Sequence, residues 1–164
     1  MAGRADVAAV DEVGDVEILR AGTLLGGRRM LLVMPRSQME AHELIERGLP
    51  RPAVVHLVGH LKSLRASKSL EGAIGLSIRT LQRAAKAGDA GRKLDVAQSS
   101  RTWQFAKILG LATEVFGSQD KAEAWMDTPA MALDQHKPID LIRTPEGASM
   151  VEVLLKRMEY GVYT

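Results

Sequence analysis

The chain has 164 residues, 46% of them apolar, which is enough to bury a real core in one or two compact units. It contains no cysteine, so disulfide frameworks and thiolate metal sites are excluded, and aromatic residues at only 4% favour a mostly helical chain over a sheet protein. Net charge is +2, but residues 61–93 carry eight basic side chains against two acidic ones, whereas residues 1–27 and 114–164 are net acidic. A basic middle between acidic ends attracts a polyanion locally and repels it elsewhere, although ordinary solvated helix faces account for the charges equally well.

The first 27 residues lack a sustained period and include Gly22, Gly26 and Gly27, so they predict a flexible arm with a short element near Val16 to Leu19. Arg28 to Arg36 is a short apolar stretch broken by Pro35, too brief to separate a strand from a helical turn. Its run Met30 to Met34 is the longest unbroken apolar segment, far below the ~20 residues of a bilayer span. The acidic start of the chain does not resemble a secretory signal, and a cytoplasmic protein is expected.

Ser37 then offers an N-cap for a helix with Met39, Leu44 and Ile45 on one face, closed by Gly48. Pro52 suits the first turn of a second helix, with Val54, Val55, Leu57, Val58 and Leu61 at helical spacing and an end near Leu64. From Ser67 to Ala87 the pattern reads helix, tight turn, helix: Leu70 and Ile74 share a face, Gly75 turns, and Ser77 caps a helix burying Ile78, Leu81 and Ala84. The second of these helices presents Ser77, Arg79, Thr80, Gln82, Arg83 and Lys86 as candidate DNA contacts, since Arg can hold guanine, Gln can read adenine, and Lys or Thr can meet phosphates. Many such units carry a small residue four before the turn glycine, and here that place is Glu71, which leaves open a unit that only dimerises or packs.

Asp95 caps a long predicted helix reaching Phe116, with Val96, Trp103, Ile108, Leu109, Ala112 and Phe116 as candidates for burial. Gly117 ends it, and Ser118 caps a short helix with Ala122, Trp125 and Met126 before Pro129; the tryptophan reads as a core residue. Pro138 opens another short helix through Ile142. Thr144 and Pro145 start a last one, where Met150, Val151, Leu154, Leu155 and Met158 make an apolar stripe that stops near Tyr160.

Catalytic and metal chemistry find no footing. His56 and His60 stand four apart, as metal ligands can, but HLVGH has no glutamate beside the first histidine and no cysteine can complete a site. GTLLGGRR at 22–29 fits neither the dinucleotide fingerprint nor the P-loop and reads as a turn. No nucleophile has a recognisable histidine and acid setting, so the chain is read as neither an enzyme nor a holder of a cofactor or metal.

Together, HELIERGLP at 42–50, SIRTLQR at 77–83, EVFGSQDKAEAWMDTP at 114–129 and IDLIRTPEGASMVEVLLKRMEYGVYT at 139–164 resemble the Xre/MbcA/ParS antitoxin family, over roughly residues 40–164. The resemblance implies an all-α chain with an Xre-like helix-turn-helix domain at 37–110 and a small helical toxin-binding domain at 111–164, while the partly flexible N-terminal arm at 1–36 falls outside it and is not explained by it. It also implies a partner toxin of the RES fold that uses NAD, either degrading it or transferring ADP-ribose to a protein. Operator DNA and a homodimer or larger hetero-oligomer with the toxin complete the expected partners. Arg157, Glu159, Tyr160, Gly161, Tyr163 and Thr164 fall on the family's terminal motif, which in relatives blocks the toxin's NAD pocket. Two tyrosines and an arginine are also good interface anchors in their own right, the alternative being that Tyr160 and Tyr163 fold back onto the chain's own core. The competing functional class is a helix-turn-helix regulator or oligomeric interaction protein with no toxin partner.

Overall fold

A computed structural model describes residues 16–88 and 91–161. Among these residues the chain is all-α, with no strand and two isolated bridge pairs, Pro50 with Lys93 and Ala130 with His136. In chain order the helices are α1 (residues 16–24), α2 (Arg28–Leu31), α3 (Gln38–Arg47), α4 (Arg51–Gly59), α5 (Leu70–Ile74) and α6 (Ile78–Lys86). They continue with α7 (Val96–Phe116), α8 (Gln119–Met126), α9 (Pro138–Leu141) and α10 (Pro145–Glu159). Single 3-10 turns at Ser63–Ala66 and Met131–Leu133 precede α5 and α9.

The polar residues that flank each apolar run do set the helix ends. Ser37, Ser77, Ser118 and Thr144 each accept a backbone N–H from the first turn of the helix that follows. Asp95 takes the Gln98 N–H at 2.7 Å while Gln98 Oε1 takes the Asp95 N–H at 3.3 Å, a reciprocal cap that starts the longest helix firmly.

Helix α7 is the axis of the molecule. Trp103, Phe105, Ile108, Leu109 and Leu111 are all buried, so apolar residues cover every side of it and α3, α5, α8 and α10 pack around it. The division expected between residues 110 and 111 falls inside this unbroken helix, and the buried residues from Ile18 to Leu155 form one continuous core. Both halves of the chain therefore use α7 as a shared wall.

Two segments depart from their sequence reading. Of the arm expected over residues 1–36, residues 1–15 lie outside the described residues, whereas the element near Val16 to Leu19 extends as α1 to residue 24 and is docked. Ile18, Ala21 and Leu25 are buried, Arg20 pairs with Glu114 at 3.4 Å, and Glu17 pairs with Lys156 of α10 at 3.6 Å. Partial burial lowers the Lys156 pKa, but Glu152 and Glu17 outweigh it and hold the ammonium above its usual range. One of the glycines that suggested flexibility instead permits close packing, because a Cβ on Gly22 would lie 2.7 Å from the Met34 sulfur, and Gly110 of α7 does the same opposite α1, where a Cβ would lie 3.2 Å from Arg20.

The second departure is α4, which stops at Gly59 rather than near Leu64. The carboxylate of Glu123, itself fully buried on α8, accepts the N–H groups of Lys62 at 2.8 Å and Leu64 at 3.0 Å. Those donors are thereby withdrawn from any continued helix and held in the 3-10 turn. Lys62 also pairs with Asp120 at 2.8 Å, and Ser67 donates to Asp127 at 3.2 Å, so α8 grips the whole connection that leads into α5.

Candidate functional site

The last helix carries two apolar stripes. Val151 and Leu155 point into the core, while Met150, Val153 and Leu154, with Ser149, Arg157 and Met158, form one wall of an open groove of about 690 Å³. The facing wall is the segment 130–133 together with Trp125. That segment is a tight reversal: Ala130 donates to the His136 carbonyl at 3.1 Å, Asp134 and Gln135 take positive φ values of 51° and 64°, and Leu133 is buried as its anchor. Its consequence is a methionine held in the open, for Met131 is 83% exposed.

Met150 and Val153 are also exposed, so the groove presents a contiguous apolar surface with flexible methionines at its mouth. Trp125, expected as a core residue, is half-buried, its ring tilted against Phe116 at 5.3 Å with the rest facing the groove. The approach of α10 to α9 depends on Gly147, where a Cβ would run into the Leu141 carbonyl oxygen.

Of the terminal residues singled out from the sequence, Arg157, Glu159, Tyr160 and Gly161 are among the described residues. Arg157 lines the groove, Glu159 is the last residue of α10, and Gly161 takes a φ of 69° that turns the chain off the helix. Tyr160 is 70% exposed and does not fold back onto the core. Tyr163 and Thr164 lie outside the described residues. Sequence reasoning gives no role to Met131 and Val153. The available signal was a second apolar face on α10 and a methionine stranded between Pro129 and Pro138.

The other candidate surface is α6. Leu81 is its buried residue, and Arg79, Thr80, Gln82, Arg83 and Lys86 are all exposed. None of Arg79, Arg83 and Lys86 is in an ion pair among the described residues. Ser77 is committed to the helix cap, its Oγ accepting the Thr80 N–H at 3.3 Å. Gly75 sits at φ 74° between α5 and α6, the left-handed turn that the sequence places there. Glu71 does not enter the space between the two helices: it is exposed and its Oε1 accepts the Ile78 N–H at 3.0 Å.

The histidines come together without forming a metal centre. His56 and His60 rings stack at 4.0 Å, and no group of three or more His, Asp or Glu residues able to hold a metal occurs among the described residues. Burial, and then the neighbouring His60, push the His56 pKa down. Among the described residues no helix is long and apolar enough to cross a membrane.

Residues 111–161, which contain the whole groove, match the antitoxin Xre/MbcA/ParS C-terminal toxin-binding domain. Three proteins named Antitoxin Xre are similar to this chain. That of Yersinia enterocolitica is 35% identical over 68 residues, 41% of this chain and 46% of the relative. That of Photorhabdus laumondii is 32% identical over 89 residues, or 54% and 58%, and that of Pseudomonas putida 31% over 68 residues, or 42% and 43%. The chain thus spans about half the length of these curated relatives. Within residues 111–161, α10 and the segment 130–133 with Trp125 supply the groove walls, and Glu123 of α8 ties this part to the segment leading to α5.

Proposed function

We propose that the chain is the antitoxin of a type II toxin-antitoxin pair, a non-enzymatic protein that inhibits a RES-domain, NAD-using toxin through the surface formed by α10 and segment 130–133. The reading is carried by one observation: the segment similar to the antitoxin toxin-binding domain leaves an apolar groove open, with Arg157 on its wall and Tyr160, at the end of the same helix, exposed. An arginine on an apolar slot and an exposed tyrosine on the same helix end are the residue types that anchor protein interfaces, while a small-molecule site would be more enclosed. Arg157, Glu159, Tyr160, Gly161, Tyr163 and Thr164 then reach the toxin as the helix ends. The basic face of α6, with Ser77 as its cap and Arg79, Thr80, Gln82, Arg83 and Lys86 outward, binds operator DNA and gives autoregulation by a dimer or a larger assembly with toxin.

The test is NAD consumption, or ADP-ribose transfer, by the RES-domain protein encoded beside this chain. It is measured with the full-length chain, with the Arg157→Ala, Tyr160→Ala double variant, and with a chain lacking Glu159 to Thr164. Inhibition by the full-length chain alone supports the reading. Equal inhibition by all three moves the blocking element onto the groove, and absence of binding by any of them rejects the toxin partner.

A further inference from the structure

We propose that Met131 and Met150 form a reversible oxidation site in the groove, and that conversion of their thioethers to sulfoxides lowers the chain's affinity for the partner that docks there. The inference rests on reading the groove as the toxin-binding surface, and it adds a control on that surface.

The chain has eight methionines and no cysteine, so the thioether is its only sulfur group and thiol oxidation has no part in its redox chemistry. Three of the eight, Met131, Met150 and Met158, line one groove. They reach it from two elements, Met150 and Met158 from α10 and Met131 from the facing reversal. The reversal fixes its methionine in the open, because Leu133 is buried and Ala130 donates to the His136 carbonyl at 3.1 Å. Met131 is therefore 83% exposed, and Met150 across from it is 48% exposed. The other described methionines are placed differently. Met126 is fully buried, Met30 and Met34 are half-buried, and Met39, although 65% exposed, lines a different groove with Trp103 and Lys107.

The oxidant is a peroxide. A thioether sulfur attacks one peroxide oxygen, the O–O bond breaks as an S–O bond forms, and the second oxygen leaves as water with both protons. The sulfur gives up two electrons and the peroxide is reduced by the same two, so nothing else is consumed. Access to the sulfur sets the rate, which places Met131 first. The product exchanges a soft apolar tip for a polar S–O group that accepts hydrogen bonds. In the free chain that group meets water, and the core is untouched because Met131 and Met150 lie outside it. Docking against an apolar surface strips the water away without supplying a donor. The cost falls on the complex and not on the fold. Sulfoxide reductases, one for each sulfoxide epimer, return the thioether and with it the binding surface.

The full-length chain is treated with hydrogen peroxide, the oxidant is removed with catalase, and peptide mass mapping reads the oxygen gained at each methionine. Treated and untreated samples are then titrated calorimetrically against the RES-domain protein encoded beside this chain. Met131 should gain its oxygen first and Met126 last. Affinity should fall about tenfold or more as Met131 and Met150 are oxidised, with the thermal midpoint moving by no more than about two degrees, and sulfoxide reductases should restore it. The Met131→Leu, Met150→Leu chain, compared only with its own untreated sample, should lose less than about twofold, whereas Met39→Leu should lose as much as the parent. The proposal is overturned if the parent keeps its affinity with both methionines oxidised, or if the double variant loses as much as the parent. Either result rejects the oxidation control and leaves the toxin surface standing. No binding by any untreated chain rejects the toxin surface and the control with it.

Discussion

The buried carboxylate of Glu123 accepts the backbone N–H of Leu64 at 3.0 Å and that of Lys62 at 2.8 Å, joining α8 to a turn 59 to 61 residues earlier in the chain. Gln119 adds a third donor to the same side chain at 3.0 Å. A carboxyl side chain at this depth is tolerated because its oxygens meet donors. Glu123→Ala leaves two backbone N–H groups stranded and should cost about 3 kcal/mol of unfolding free energy. Glu123→Gln retains an oxygen acceptor and should cost roughly half as much. Urea melts of the two variants check this, and equal midpoints for parent and Glu123→Ala would show the turn to be held by other contacts.

A second prediction concerns the groove. Met131 and Val153 are exposed, so replacing both with aspartate removes little packing and should shift the thermal midpoint by no more than a degree or two. The same change puts two charges into a surface proposed to be dehydrated against a toxin, and should weaken that complex by about a hundredfold or more. Calorimetric titration against the RES-domain protein reads the loss directly. Unchanged affinity would place the toxin on another face.

How far the sequence discloses this molecule depends on the range of the interactions that decide each feature. Helix starts at Ser37, Ser77, Asp95, Ser118 and Thr144 are legible because a cap is settled within three residues. The end of α4 is not, since Glu123 draws Lys62 and Leu64 out of the helix from another part of the chain. Helix α1 is hidden for a different reason: Gly22, Gly26 and Gly27 lower local helix preference, and only the nearness of Met34 to Gly22 and of Met30 and His56 to Gly26 shows why small residues are useful at those two positions. In α10 the apolar periodicity is plain, but Met150 and Val151 are adjacent letters with opposite fates. Periodicity locates an apolar face without saying whether another part of the chain covers it. The terminal motif containing Arg157 and Tyr160 is legible through family resemblance, whereas the loop that raises Met131 is set by the Ala130 and His136 pairing and left-handed residues at 134 and 135.

Gly147 offers a sharper stability test than most core positions. Its backbone lies against the Leu141 carbonyl so closely that an added methyl group would sit 1.9 Å from the oxygen. Neither partner is a flexible side chain that could swing aside, so Gly147→Ala must displace α10 from α9. A loss of about 3 kcal/mol or more is expected, despite alanine's better helix propensity, which would favour the variant by only about 1 kcal/mol. A urea midpoint equal to the parent's would mean that the helix pair slides apart at little cost. Since α10 forms one groove wall, toxin affinity should fall along with stability.

The stacked histidines make stability depend on pH in a defined direction. Burial, then the proximity of His60, depress the His56 pKa below its ordinary value of 6.5. A depressed value means the unfolded chain binds the proton more tightly than the folded one, so protonation favours unfolding. The contribution is fully present above the unfolded value and is lost as pH falls through the folded one. Lowering pH from about 7.5 to 5.5, above the usual range for carboxylates, should therefore reduce the urea midpoint. His56→Gln removes the titrating ring beside the α1 to α2 turn, where it stands 3.2 Å from a Cβ built on Gly26, and should flatten the dependence. The slope of midpoint against pH is the quantity to compare. A parent slope that persists in His56→Gln would assign the effect to other groups, and a midpoint that rises on acidification would contradict the stated direction.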